Sequence, residues 1–227
     1  MHEEILSWHE MCQRESRSLQ NGMHFRVGGD YSILLMSTRA NAPYADRLEE
    51  GGTVLIYEGH DEPRRKGIDP KGLDQPEFHY GGTLTQNGKF HEAAQFHKHH
   101  HRPPERVRVY EKLRPSIWAD NGMFLLVDSW KEYDGRRSVF KFKLVAVEDE
   151  QKESATGMEA DRRRMIPSAV KLEVWKRDGG KCVMCGSSEN LHFDHIIPFS
   201  KGGASDTVAN VQLLCGRHNI LKGAKIE

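Results

Sequence analysis

Three cysteines and a histidine near the C-terminal end of this 227-residue chain stand as two close pairs, Cys182-x2-Cys185 and Cys215-x2-His218. Two such pairs, each on a tight turn, can converge on one tetrahedral ion, with thiolate sulfurs ~2.3 Å from zinc. The fourth cysteine, Cys12, lies far away. An odd trio of this kind suggests a metal site that borrows a histidine, not a disulfide framework. Gly186 and Gly216 suit the turns of such a knuckle. A segment of roughly sixty residues buries little core of its own, so the ion would contribute much of its folding free energy. The bland alternative is unrelated buried thiols beside a surface histidine. The spacing identifies a structural site and not an activity.

Between the pairs runs Leu191-His192-Phe193-Asp194-His195-Ile196-Ile197-Pro198, with a carboxylate and an imidazole adjacent at the end of an expected strand. Lys201-Gly202-Gly203 follows, then Asn210-Val211-Gln212-Leu213-Leu214-Cys215, His218-Asn219 and Lys222-Gly223. Phosphodiester hydrolysis needs a base to activate water, a metal to stabilise the crowded phosphate and leaving oxygen, and donors that hold the scaffold. Asp194 offers a hard oxygen suited to Mg2+ or Mn2+. His195 can serve as base near neutral pH. Asn219 offers a second oxygen from the helix expected after the second pair.

The segment CVMCG…LHFDHIIPFSKGG…NVQLLCGRHNILKG, Cys182 to Gly223, resembles the HNH (ββα-metal) endonucleases. The resemblance implies that His195 is the general base and that Asp194 and Asn219 hold the catalytic metal. It implies that Asn210 is the asparagine bracing the loop, and that Cys182, Cys185, Cys215 and His218 bind structural zinc. His218 stands where many relatives have a fourth cysteine; the alternative is that it belongs to the active site and the zinc is held more weakly. An inactive zinc-binding remnant of the family is the other reading.

The elements that must present these residues follow from pattern. Pro167-Ser168 opens a helix with Val170, Val174 and Trp175 on its apolar side, ending at Gly179-Gly180. Residues 1–20, with Ile5, Leu6, Trp8, Met11 and Cys12 among charges, read as an N-terminal helix. From 24 to 147 the pattern is of strands: 30–36, 53–57, 106–110, 123–130 and 138–147, the last two joined through Asp134-Gly135, a hairpin signal. Long Gly/Pro/His-rich loops are expected at 59–82 and 96–104. The stretch 151–166 is polar without apolar period and reads as a linker. The division is therefore 1–150, linker 151–166, and 167–227.

Bulk numbers bound the function. Hydrophobic residues make up 37% and charged residues 29%, as in a globular protein. No apolar run reaches the roughly 20 residues that span a bilayer. The N-terminus lacks the layout of a signal peptide, so the cytoplasm is the expected location. Net charge is zero, but residues 161–227 carry eleven Lys and Arg against seven Asp and Glu. That excess is mild support for a phosphate partner.

The front region offers a second resemblance. A strand YSILL, a loop PYAD, a strand ending in IYEG, then GTLTQNGKFHEAA, VRVYEKL and YDGRRSVFKFKLV resemble the SRA domains of the PUA-like superfamily. That resemblance implies a β-barrel that binds modified cytosine in double-stranded DNA by flipping the base into a pocket. Tyr44 and Tyr57 resemble its stacking pair and Asp46 its reader of the cytosine amine, although the interval from Asp46 to Tyr57 is longer than in that family. The bland alternative is that both tyrosines are core residues and Asp46 a solvated charge. His97 to His101, with Arg102, read as an exposed polar loop and not as a metal site.

The expected fold class is α+β: an SRA/PUA-like β-barrel followed by a small zinc-bound HNH domain. The expected function is a modification-dependent endonuclease of the restriction type, recognising 5-methyl- or 5-hydroxymethylcytosine. One such site cuts one strand, so a double-strand break calls for a homodimer or successive nicks. The rivals are an HNH nuclease whose front domain recognises another nucleic-acid feature, and a non-catalytic reader of modified DNA.

Overall fold

The computed structural model describes residues 3–26, 29–147 and 165–225. In chain order the main elements are β1 (Glu3–Ser7), α1 (Trp8–Arg14), β2 (Met23–His24), β3 (Ser32–Met36), β4 (Arg47–Glu49), β5 (Val54–Glu58) and α2 (Gln86–His100). Then follow β6 (Glu105–Arg114), β7 (Ile117–Tyr133), β8 (Ser138–Ala146), α3 (Ser168–Arg177), β9 (Leu191–His195), β10 (Val211–Cys215) and α4 (Gly216–Lys222). The class is α+β, as expected.

The strands form one ten-stranded sheet in the order β10-β9-β1-β7-β6-β3-β2, from which β8, β5 and β4 branch off β7. The long strand β7 makes the branch. Opposite β6 its register slips by one residue between the Tyr110–Asp120 and Arg108–Met123 pairs. Gly122 sits in that slip at φ +83°, where a side chain would strain the backbone. The first part of β7 pairs with β1, and the part from Phe124 pairs with β8. Among the described residues no pairing joins β4 to β2, so the expected barrel is an open, branched sheet.

The period-2 pattern fixes which face is inward. In β6, Val107 and Val109 are fully buried while Arg106 is exposed. They join Leu34, Leu55, Phe124, Phe140 and Phe142 in one core, closed by Phe90 and Ala94 of α2. That helix was not expected: residues 96–100 lie in its last turns, not in a loop. Its inward residues Phe90 and Ala94 are the i, i+4 pair among mostly polar neighbours, too sparse to read as a helical period.

The N-terminal expectation also needs correction. Only Trp8–Arg14 is helical; Glu3–Ser7 is a strand. Ser7 marks the junction, its hydroxyl accepting from the Glu10 N–H (3.2 Å) while its own N–H donates to the Glu10 carboxylate (2.7 Å). Open edges on both sides decide the rest. β1 pairs antiparallel with β7 on one flank and β9 on the other, and tertiary pairing overrides local propensity.

A second core therefore draws on both ends of the chain: Ile5, Leu113 and Ala119 pack with Ile166, Val170, Val174, Leu191, Phe193 and Leu213. The linker expected over 151–166 lies outside the described residues up to 164, while Met165 and Ile166 are buried. At the seam the fully buried Lys171 of α3 meets Glu3 of β1 at 2.5 Å, Glu111 of β6 at 3.1 Å and the Asn121 carbonyl of β7 at 2.8 Å. Burial holds Glu3 above the usual carboxylate range despite Lys171. It also works against ionising Glu111, but there the ammonium prevails and the carboxyl falls below its ordinary value. Among the described residues no helix is long and apolar enough to cross a membrane.

Candidate functional site

The two cysteine pairs meet. Strand β10 delivers Cys215, and α4 begins at once, placing His218 in its first turn; Cys182 and Cys185 come from the turn after α3. His218 Nδ1 lies 3.4 Å from the Cys182 sulfur and 3.3 Å from that of Cys215, and the Cys185 and Cys215 sulfurs are 3.9 Å apart. All four ligand atoms lie within 4.8 Å of one another. A tetrahedral ion with bonds of ~2.0–2.3 Å separates its donors by roughly 3.5–3.8 Å, so the cluster has the size such an ion requires. Burial opposes ionisation of Cys182, but backbone N–H groups of Cys215, Cys185 and Met184 outweigh it and bring the thiol down to about 6. Among the described residues this is the one cluster of three or more ligating side chains of that kind. The histidines from His97 to His101 do not form another.

Asp194 and His195 close β9, as the pattern predicted. The Asp194 carboxylate is buried; its Oδ2 accepts from Gln212 Nε2 at 3.2 Å and meets the Lys222 ammonium at 2.8 Å. The same ammonium donates to the His195 carbonyl at 2.6 Å. His195 Nε2 lies 2.9 Å from the hydroxyl of the buried Ser205. Asn219 stands one turn ahead of Lys222 on α4 and is buried, and its Oδ1 has no hydrogen-bond partner. A buried carbonyl oxygen left bare is costly unless a ligand completes it. A hard cation held between Asp194 and Asn219 would do so, and the residues present fit such an ion.

Asn210 has a different task. Its carbonyl accepts from the Ile197 N–H (2.8 Å) and its amide donates to the Ile197 and Ala204 carbonyls (3.1 and 2.8 Å). It braces the loop after β9 rather than pointing to chemistry. Gly203 belongs to the same brace, since a Cβ there would collide with the Ile197 carbonyl and the Asn210 amide. Sequence reasoning gave no role to Lys222, Ser205 or Gln212. A lysine three residues after Asn219 on a short helix was the available signal, because that spacing puts both on one face.

The front region holds Tyr44 and Asp46 between two clefts, of about 490 Å3 and about 680 Å3, both lined by Ser37, Arg39, Tyr44 and Asp46. Asp46 accepts from the backbone N–H groups of Ser37 and Glu58, each at 3.0 Å. Burial outweighs those bonds and raises its carboxyl to about 7. Tyr57 corrects the sequence reading. It is wholly buried in the first core, and its hydroxyl meets the Gly22 carbonyl (3.1 Å) and His60 (2.9 Å). The aromatic partner of Tyr44 is instead His60, stacked at 4.6 Å between ring centroids and 10° between planes. Burial lowers that imidazole to about 4, against the opposing pull of Asp61. The Lys71 ammonium also lies over the Tyr44 ring, 4.3 Å from its centroid, tied to Asp61 at 3.0 Å. Tyr44 thus has ring contacts with both an imidazole and an ammonium of its own chain.

Residues 182–225 match the HNH endonuclease family. No curated protein matches the chain. Among solved structures, the chain is similar to the modification-dependent TagI restriction endonuclease, at 17% identity and a TM-score of 0.42, over 97% of this chain and 76% of that one. It is also similar to the SUVH5 SRA domain bound to fully hydroxymethylated CG DNA, at 22% identity and a TM-score of 0.46, over 68% of this chain and 93% of that one. The SUVH5 SRA complex with hemi-methylated CG DNA gives 22% identity and a TM-score of 0.44, over 66% and 89%.

Proposed function

We propose that this chain is a metal-dependent DNA endonuclease that cuts near a modified cytosine. The observation that carries the nuclease half is the end of β9. Asp194 and His195 close that strand, Lys222 of α4 contacts both, and the bare Asn219 carbonyl lies one turn before Lys222 on the same helix, in a segment that matches a nuclease family. In this reading Cys182, Cys185, Cys215 and His218 hold zinc, the ion suited to three thiolates and an imidazole, which clamps the scaffold. Asp194 and Asn219 hold Mg2+ or Mn2+. When bound, that cation supplies charge stabilisation of the crowded phosphate and the departing 3′-oxygen. His195 takes the proton of the attacking water, contributing on the order of 10²–10⁴ in rate. Ser205 and the Lys222 contact to the His195 backbone keep the ring in place, and Asn210 keeps the loop beneath it rigid.

The front region reads the DNA. A cytosine flipped from the duplex stacks on Tyr44 and presents its amine to Asp46, with His60, not Tyr57, as the second ring. A 5-methyl or 5-hydroxymethyl group fills space that an unmodified base leaves void, a difference of about 0.8 kcal/mol per buried methylene. Tyr44 is already stacked on His60 and contacted by Lys71, so base entry displaces a contact of the chain itself. That observation favours a second reading, in which the front region recognises another nucleic-acid feature.

Plasmids that differ only in cytosine methylation, incubated with the protein and Mg2+ or Mn2+, separate these readings. Cutting of the methylated plasmid alone is expected. Equal cutting of both transfers recognition to another feature, and binding without cutting in either metal leaves a non-catalytic reader.

A further inference from the structure

The nuclease reading assigns no charge-balancing role to Lys222, yet its ammonium is almost wholly buried and lies 2.8 Å from Asp194 Oδ2. The carboxylate's other partner, the Gln212 amide, donates to the same oxygen. Lys222 and Gln212 therefore occupy one edge of the carboxylate and leave Oδ1 as the oxygen available to a cation. The charge balance is the second point. Asp194 supplies one negative charge, Lys222 cancels it, and Asn219 adds a neutral carbonyl. A dication entering this site alone meets no net negative charge and has an ammonium close by, on the far oxygen of its own carboxylate ligand. At such separations two positive charges repel appreciably even with an effective dielectric near ~20.

We infer that Lys222 makes cation loading conditional on DNA: the site takes Mg2+ or Mn2+ well only when a backbone phosphate supplies the missing negative charge. Lys222 is a positioning and charge-compensating residue here, not one that touches the reacting atoms. The consequence is protective for an enzyme of this type, because the hydrolytic centre is assembled on its substrate. This rests on the nuclease reading above. By thermodynamic reciprocity the cation tightens DNA binding by the same factor that DNA tightens cation binding.

Mn2+ binding is the measurement, read by the paramagnetic resonance of the free ion with zinc-loaded protein in a His195→Ala background that prevents turnover. A 5-methylcytosine duplex is added or withheld, and Asp194→Ala protein with the same duplex corrects for ions held by DNA alone. The duplex is expected to tighten Mn2+ binding by about tenfold or more, within the usual range of coupling between sites. Lys222→Met is expected to tighten DNA-free Mn2+ binding and shrink the coupling, while Lys222→Arg, which keeps the charge, preserves it. Equal Mn2+ affinity with and without duplex overturns the inference and leaves the nuclease reading standing; this comparison needs no substitution at Lys222, so a poorly folding variant does not blunt it. Absence of Asp194-dependent Mn2+ binding in both conditions overturns the nuclease reading itself.

Discussion

His195 and Asp46 carry the two halves of the proposed activity, and each yields a prediction of its own. Replacing His195 with Ala removes the proton acceptor together with a half-buried ring bonded to the Ser205 hydroxyl. Cutting should fall by about 10²–10⁴-fold or more with DNA affinity unchanged, a loss far beyond what the small accompanying drop in melting temperature accounts for. Retained full cutting would remove His195 as base. Asp46 and His60 make opposite pH signatures. Asp46 lies above its ordinary value of 3.8, so the folded protein holds that proton more tightly than the unfolded chain. Its contribution weakens folding as pH rises from 3.8 to about 7. His60 lies below its ordinary 6.5, so its contribution is complete above 6.5 and is lost as pH falls toward about 4. In the intact protein the slopes oppose each other between about 4 and 6.5. His60→Gln should leave stability falling with rising pH across that window, and Asp46→Asn should leave it rising. Urea midpoints at several pH values read the difference; parallel curves for the two variants would contradict the burial argument.

At the scale of elements, the Cys182, Cys185, Cys215 and His218 cluster and the asparagine brace bring β9, its loop, β10 and α4 together. With the proposed zinc in place, Cys182→Ala removes one of its four ligands, so the protein should melt at a lower temperature and release zinc to a chelator more readily. A normal melting curve for that variant would refute the clamp. Asn210→Ala strands one N–H and two carbonyl contacts of the loop. A cost of about 1–3 kcal/mol is expected, with cutting reduced because the loop next to His195 loosens. Faster hydrogen exchange over 196–210 checks the loosening, and the plasmid assay checks the cutting.

Over the whole molecule, the seam between the two ends of the chain is the main structural finding. β1 lies between β7 and β9, so the sheet of the front region and that of the C-terminal segment are continuous. Ile5 belongs to the core that supports α3, β9 and β10. Ile5→Ala should cost about 2–4 kcal/mol, and hydrogen exchange should rise in α3, β9 and β10 although the residue is N-terminal. Lys171→Met leaves Glu3 and Glu111 buried together without their shared cation, a change of the kind that costs about 3–5 kcal/mol. One unfolding transition for the intact protein is the expected calorimetric outcome. Two separable transitions, with Ile5→Ala moving only the front one, would contradict a shared core.

What the residues declared for themselves was local in origin. The two ligand pairs, the Asp194–His195 step at a strand end, the Asp134-Gly135 hairpin and the start of α3 each rest on spacings of a few residues, which neighbouring backbone geometry alone enforces. Tyr57, residues 96–100, Glu3–Ser7 and Lys222 were decided otherwise. Whether an aromatic faces a cleft or a core, whether an apolar pair lies in a helix or fills a gap between two strands, and which carboxylate a lysine meets all depend on partners far away in sequence. Pairing across β1 and burial around α4 supplied those partners, and only the folded chain brings them within reach.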